Sequence, residues 1–325
     1  MTNLISAAIG NTWYLQFEVD FILWLQSLGG KGSFLYYLMN GISMFGETYL
    51  IAATIIVLYF GLDKTVGERV AFTMLTAGML TPMIKNIVCR TRPFDSVNAI
   101  QNFRDVGGYS FPSGHSSASA ATYGGLAWQY RSKKYVWLTI IGTALPLLVA
   151  LSRMYLGAHY FTDVTVGLAL GAVCVFGLDL LFKVVPNKYY LYLGALVLGI
   201  VGCFYCKTTD FYTGFGAMIG FIFGTLLEEK KVKFKSTNCW WRILLRIVVG
   251  AGILIGLYLG LKALTKLMNP NNIEVLGYAL RTARYALVIF IALGVYPMLF
   301  APAEKLWKKF GWIKEDDTNV YEQNQ

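Results

Sequence analysis

What most restricts the fold of this chain is a succession of long apolar runs separated by short charged joins. Tyr49 to Phe60, Val70 to Met83, Val136 to Leu151, Val164 to Phe182, Tyr190 to Tyr205, Ile243 to Leu261 and Tyr285 to Phe300 carry few or no charges. Several approach the ~20 residues that a helix needs to cross a hydrocarbon core. Only 14% of the chain is charged and 56% is hydrophobic, whereas soluble domains carry roughly 25% charge. The expected class is all-α: a polytopic transmembrane helical bundle.

Reading the runs against their charged breaks gives about nine spans, at 41–60, 70–88, 116–130, 136–152, 162–182, 189–206, 211–227, 241–262 and 284–301. Residues 13–40 mix Trp13, Phe17, Phe21, Trp24 and Leu25 with Glu18, Asp20 and Lys31, which reads as an interfacial amphipathic helix; a tenth span is the alternative. The expected division is an N-terminal interfacial segment (1–40), a core (41–183), C-terminal membrane helices (184–302) and a polar tail (303–325). Basic residues gather at every second join: Lys64 and Arg69, Arg131 with Lys133 and Lys134, Lys183 and Lys188, the run Lys230 to Lys235, and Lys305 to Lys309. Under the positive-inside rule those joins are cytoplasmic. The N-terminus, the 88–115 loop and the Ser152 to Asp163 joint then face outside. No cleavable leader is expected, since Lys or Arg is first met at Lys31.

A net charge of +10 is spread over these joins instead of one soluble face, so nucleic acid is excluded as a partner and membrane lipid is expected. Protein partners are not indicated. The five cysteines are scattered, mostly inside apolar runs, and give no disulfide framework. Two histidines in the whole chain exclude a His-rich zinc site. The chain lacks any N-x-Ser/Thr acceptor, which leans toward a prokaryotic plasma membrane. Asp179, four before Lys183, reads as a helix-end ion pair.

Three stretches stand apart, all on the outer face of this arrangement. Lys85 lies within an apolar run and is followed by Arg90, Arg92 and Pro93; basic residues often anchor a helix end, but an intramembrane charge is functional by default. Pro112-Ser113-Gly114-His115 opens the third span, where free N–H groups and serine hydroxyls form an anion site. Ser152-Arg153 precedes His159 and Asp163, which share a helix face four residues apart, so the carboxylate can hold one ring nitrogen. Both histidines thus fall to one locus with three cations, Lys85, Arg92 and Arg153. Such a cradle implies a multiply anionic ligand, and Arg forks favour phosphate.

The ordered motifs K-x6-R-P, P-S-G-H and S-R-x5-H-x3-D resemble those of the phosphatidic acid phosphatase type 2 superfamily, and all three match without a departure. The resemblance covers 85–163 by motif and 41–182 by span layout. It implies a membrane phosphatase acting on a phosphomonoester or diphosphate, with a phosphorylated lipid or other amphiphile as substrate. His159 would be the nucleophile, Asp163 its orienting partner and His115 the general acid. Lys85, Arg92, Ser113, Arg153 and the Gly114 N–H would hold the phosphoryl oxygens. Because a cradle of three cations can replace Mg2+ and no carboxylate cluster accompanies the motifs, no metal or cofactor is expected. A phosphotransferase with the same intermediate, a sugar-phosphate phosphatase and a phosphate-binding transporter are the alternatives.

Overall fold

The computed structural model describes residues 12–132, 135–237, 239–269 and 271–309. Lys133, Lys134 and the tail beyond residue 309 lie outside the described residues, as do the first eleven residues of the N-terminal segment. The described residues contain helices and no β-strand. The longer ones are, in order, α1 (Gln16–Ser27), α2 (Phe34–Ser43), α3 (Thr48–Val57), α4 (Lys64–Val88), α5 (114–129), α6 (Val136–Tyr155), α7 (Phe161–Val184), α8 (Lys188–Cys203), α9 (Thr209–Leu227), α10 (Trp240–Met268), α11 (Glu274–Phe290) and α12 (Phe300–Lys309).

Among the described residues, five helices are long and apolar enough to cross a membrane, and α2 with α3 makes a sixth if that pair, bent by 53°, is counted as one span. The outward faces agree with this reading: Ile140, Val173, Leu193 and Ile255 are each more than half exposed, while Ser113, Ser116, Arg153 and Asp163 are buried. An apolar exterior around a polar interior suits lipid as solvent. The stretch expected as one interfacial helix over 13–40 is in fact two, α1 and α2. Gly29, Gly30 and Gly32 interrupt it, and Ser33 restarts it by accepting the Tyr36 N–H at 3.2 Å, a helix-entry cap. The bend then falls at Glu47, inside the expected 41–60 span.

Two compact units form. The first comprises Met1–Ile55 and Arg69–Phe211, the second Ile56–Glu68 and Tyr212–Gln325. In the first, α5, α6 and α7 pack against one another. Gly167 and Gly171, one turn apart on α7, make the α5 contact possible, because a Cβ on either would stand 2.6 Å from the carbonyl of Ser113 or Ser117. One face of α1 (Val19, Ile22, Leu25) joins Ile100, Phe103, Tyr155 and Tyr160 in a core beside the α6–α7 joint. The second unit is centred on Tyr59, Phe60, Phe234, Tyr296 and Phe300.

Candidate active site

Lys85 stands in the last turn of α4, one turn beyond Thr81, whose hydroxyl meets that of Ser117 on α5 at 2.8 Å. Its ammonium donates to the Tyr109 carbonyl. Cys89 then takes a left-handed conformation (φ 52°), and the chain turns back so that Arg90 and Arg92 both point inward, buried. Arg92 is gripped by backbone. Its Nε donates to Gly108 O at 3.0 Å, Nη2 to Gly107 O at 2.8 Å and Nη1 to Ala158 O at 2.9 Å. The same Nη1 lies 3.3 Å from His159 Nε2.

Ser113 caps α5, accepting from the Ser116 hydroxyl at 2.9 Å, while its own N–H donates to the Asp163 carbonyl at 2.9 Å. That bond ties the second motif to the third. Gly114 follows, and then His115, at the mouth of the helix. Arg153, in the last turn of α6, donates from Nη1 to Ser43 Oγ at 2.9 Å. Its Nε is buried with no hydrogen-bond partner. His159 is buried, with Nδ1 3.5 Å from Asp163 Oδ2. This is charge-pairing distance and not yet a hydrogen bond. All eight residues singled out in the sequence therefore gather at one place.

Further residues, to which the sequence assigned no role in the site, support it. Arg90, fully buried, donates to Asp163 Oδ1 at 2.5 Å, Thr162 Oγ1 at 2.7 Å and Glu18 Oε2 at 3.0 Å. Its guanidinium lies 3.8 Å from the Trp13 ring centroid and 4.0 Å from that of Tyr160, a cation–π sandwich. Glu18 in turn accepts from the Thr162 N–H at 2.8 Å, so α1 is bonded to the start of α7. Across the site, Glu47 Oε1 meets His115 Nε2 at 3.1 Å and is ion-paired with Arg104. Ser43, beside this joint, completes the set by accepting from Arg153. Gly46 leaves the room: a Cβ there would stand 2.7 Å from His115 Cβ.

These surroundings set the charge state of the two rings. Burial, then Arg92, Lys85 and Arg153, holds His159 well below the usual imidazole range. Burial and then Arg153 push His115 down to about 4, with Glu47 pulling the other way. Burial lowers Arg92 to about 10, so it stays cationic at neutral pH. A neutral His159 whose Nδ1–H is turned to Asp163 leaves the Nε2 lone pair facing Arg92 and the cradle, which is the arrangement a nucleophilic imidazole requires. Among the described residues no group of three His, Cys, Asp or Glu is placed to hold a metal ion.

Residues 69–189 match the family model described as PAP2 superfamily, and 212–306 match that described as PAP2 superfamily phosphatase, transmembrane extension. The undecaprenyl-diphosphatase of Sulfolobus acidocaldarius is 31% identical over 137 residues, which cover 42% of this chain and 65% of that protein. The phosphatidylglycerophosphatase B of Bacillus subtilis is 30% identical over 148 residues, 42% of this chain and 70% of that one. The lipid A 1-phosphatase of Rhizobium johnstonii is 29% identical over 145 residues, 39% of this chain and 54% of that protein. The chain thus spans between about half and 70% of the length of these relatives. The crystal structure of a transmembrane PAP2 type phosphatidylglycerolphosphate phosphatase from Bacillus subtilis aligns with a TM-score of 0.46 at 27% identity, covering 57% of this chain and 94% of that one. With the first model falling on the three motifs and 30% identity extending over most of the Bacillus phosphatase, this chain belongs to the PAP2 superfamily.

Proposed function

We propose that the protein is a metal-independent membrane phosphatase that hydrolyses a phosphomonoester or diphosphate of a lipid through a phosphohistidine. The observation that carries this reading is the buried His159, with a carboxylate 3.5 Å from one ring nitrogen and Arg92 3.3 Å from the other. Mere phosphate binding needs the cations but has no use for a His–Asp pair. In the first half-reaction Nε2 of His159 attacks phosphorus and the P–O bond to the leaving group breaks. His115 gives that oxygen its proton. Lys85, Arg92, Arg153, Ser113 and the Gly114 N–H stabilise the charge that builds on the three remaining phosphoryl oxygens. Water then attacks the phosphorus of the phosphohistidine, His115 takes the water proton, the P–N bond to His159 Nε2 breaks, and inorganic phosphate leaves with the free imidazole restored.

His115 is neutral at pH 7 before substrate arrives. A phosphate dianion drawn into the cradle offsets the field of Arg153 and raises the ring, which prepares it as an acid. The relatives are named for isoprenyl diphosphate, phosphatidylglycerophosphate and lipid A substrates, and this supports a lipid for a chain with candidate spans. The topology that goes with the reading is nine spans with residues 13–40 at the interface. The site then faces the outside of a prokaryotic plasma membrane.

The purified protein, assayed against phosphatidic acid, phosphatidylglycerophosphate, an isoprenyl diphosphate and a sphingoid phosphate with glucose 6-phosphate as the soluble control, is expected to release phosphate from a lipid in the presence of chelator. With a 32P-labelled aryl phosphate, whose leaving group needs no acid, rapid acid-free quenching should trap an acid-labile, alkali-stable phosphoenzyme in His115→Ala that His159→Ala never forms. Phosphoenzyme in His159→Ala, or activity that chelator removes and Mg2+ restores, would refute the mechanism.

A further inference from the structure

The second unit contains a cavity of about 440 Å³ that the proposed reaction does not use, lined by Lys231, Lys233, Lys235, Arg246, Phe234 and Phe300 among others. Pro297 and Met298 complete its apolar wall, and no acidic residue lines it among the described residues. Neither Glu228 nor Glu229, the two carboxylates just ahead of the lysine run, is in the lining, and Glu228 is ion-paired with Lys64 and accepts the Phe234 N–H at 2.9 Å. The three lysine side chains are exposed around the cavity, whereas Arg246 is 4% exposed and stacks 4.3 Å from the Phe300 ring centroid.

The loop that carries the lysines is held in an unfavourable shape. Lys233 sits at φ 49°, ψ 45°, a left-handed conformation in which a long side chain is uncommon. Several bonds hold it there. Lys233 N donates to Glu228 O at 2.7 Å and Thr237 N to Gly61 O at 3.2 Å. Arg246 Nη1 donates to Lys235 O at 3.2 Å and to Phe60 O at 2.8 Å. Backbone strain that the surroundings enforce recurs at ligand clamps, and here it coincides with four cations around an apolar-floored cavity.

We propose that this cavity is a binding site for the phosphate headgroup of an anionic phospholipid, in the leaflet that meets the Lys230 to Lys235 face. The lysines and Arg246 take the phosphate oxygens, and Phe234, Phe300 and Met298 take the adjoining apolar part. Met298 and Leu299, both exposed, continue the apolar surface toward the acyl chains. Free phosphate would use the same cations but gain nothing from that wall. Diffuse attraction of the lysine run to a charged membrane, at about 1 kcal/mol per basic residue near the surface, would by contrast depend on every lysine alike.

The full-length protein in neutral detergent micelles, doped with phosphatidylglycerol or with phosphatidylcholine, provides the test through its melting temperature. Phosphatidylglycerol should raise the melting temperature of the wild type and phosphatidylcholine should not. Lys231→Ala should lose more than half of the shift. Lys230→Ala, the same charge removed from outside the lining, should keep it. Lys233→Gly separates fold from site: without lipid it should melt higher than wild type, because glycine accepts the left-handed backbone, yet its response to phosphatidylglycerol should be smaller. Equal losses in Lys230→Ala and Lys231→Ala would establish diffuse attraction and overturn the site. A full shift produced by inorganic phosphate alone would overturn the lipid assignment in favour of free phosphate. Since none of these readouts is turnover, they stand or fall apart from the phosphatase reading.

Discussion

His159 and His115 lean on different carboxylates, and the two carboxylates are held in different ways. Asp163 is fixed by Arg90 at 2.5 Å and by the Tyr160 N–H at 2.8 Å, so it can orient His159 without rotating away. Glu47 is shared between His115 and Arg104, nearer the surface. Burial and nearby cations both favour the neutral ring, so each imidazole binds its proton only at a pH below the usual ~6.5; a neighbouring carboxylate acts in the opposite sense. With two histidines in the chain, 13Cε1-histidine labelling gives two signals. In the substrate-free protein both should titrate below the usual range, His115 near about 4. Glu47→Gln removes the one carboxylate that raises His115, so that signal should move lower still. Losing a charged hydrogen-bond partner worth ~1.5–3 kcal/mol should slow alkyl phosphates about 10- to 100-fold and an aryl ester with a good leaving group much less. A His115 signal that rises in Glu47→Gln, or equal losses on both esters, would show that Glu47 does not support the acid.

At the scale of helices, the site depends on how closely α5 approaches α7. Ser113 and His115 arrive on one helix, His159 and Asp163 at the start of the other, and Gly167 lets the Ser113 carbonyl pass. Gly167→Ala should cost about 1–3 kcal/mol as an overpacked contact. By displacing the second motif it should also reduce kcat by up to about 100-fold. Thermal melting and steady-state rates check both; an unchanged rate at a lowered melting temperature would mean that the two motifs move independently of this contact. The three motifs were legible in the sequence because each breaks the apolar pattern with groups lipid does not tolerate, and the apolar runs made the helical class legible for the same reason. The supports were harder to read. Arg90 lies inside the spacer of the first motif, where a basic residue past a helix end looks like an anchor. Glu18 sits among the polar residues of an amphipathic stretch, and only the fold brings it to Thr162 and Arg90. Glu47 did leave a signal, a single carboxylate within the 41–60 run, and an intramembrane charge is a functional candidate by default. The bend beside it was not legible, since no proline marks it.

For the molecule as a whole, the alternation of basic joins predicts that Ser96 and Ser236 lie on opposite sides of the membrane. In a background without the five native cysteines, Ser96→Cys should react with an impermeant maleimide in intact cells, and Ser236→Cys only after permeabilisation. Labelling of both in intact cells would reverse the arrangement of the second unit. The PAP2 model begins at residue 69, yet Trp13, Glu18, Ser43, Gly46 and Glu47 all lie ahead of it and all touch the site. The candidate site is therefore wider than the stretch that the family model matches. A chimera that grafts only 69–189 into another member of the superfamily would carry every signature residue but lose the counter-charge of His115 and the clamp on Arg90. It would depend on the host for both.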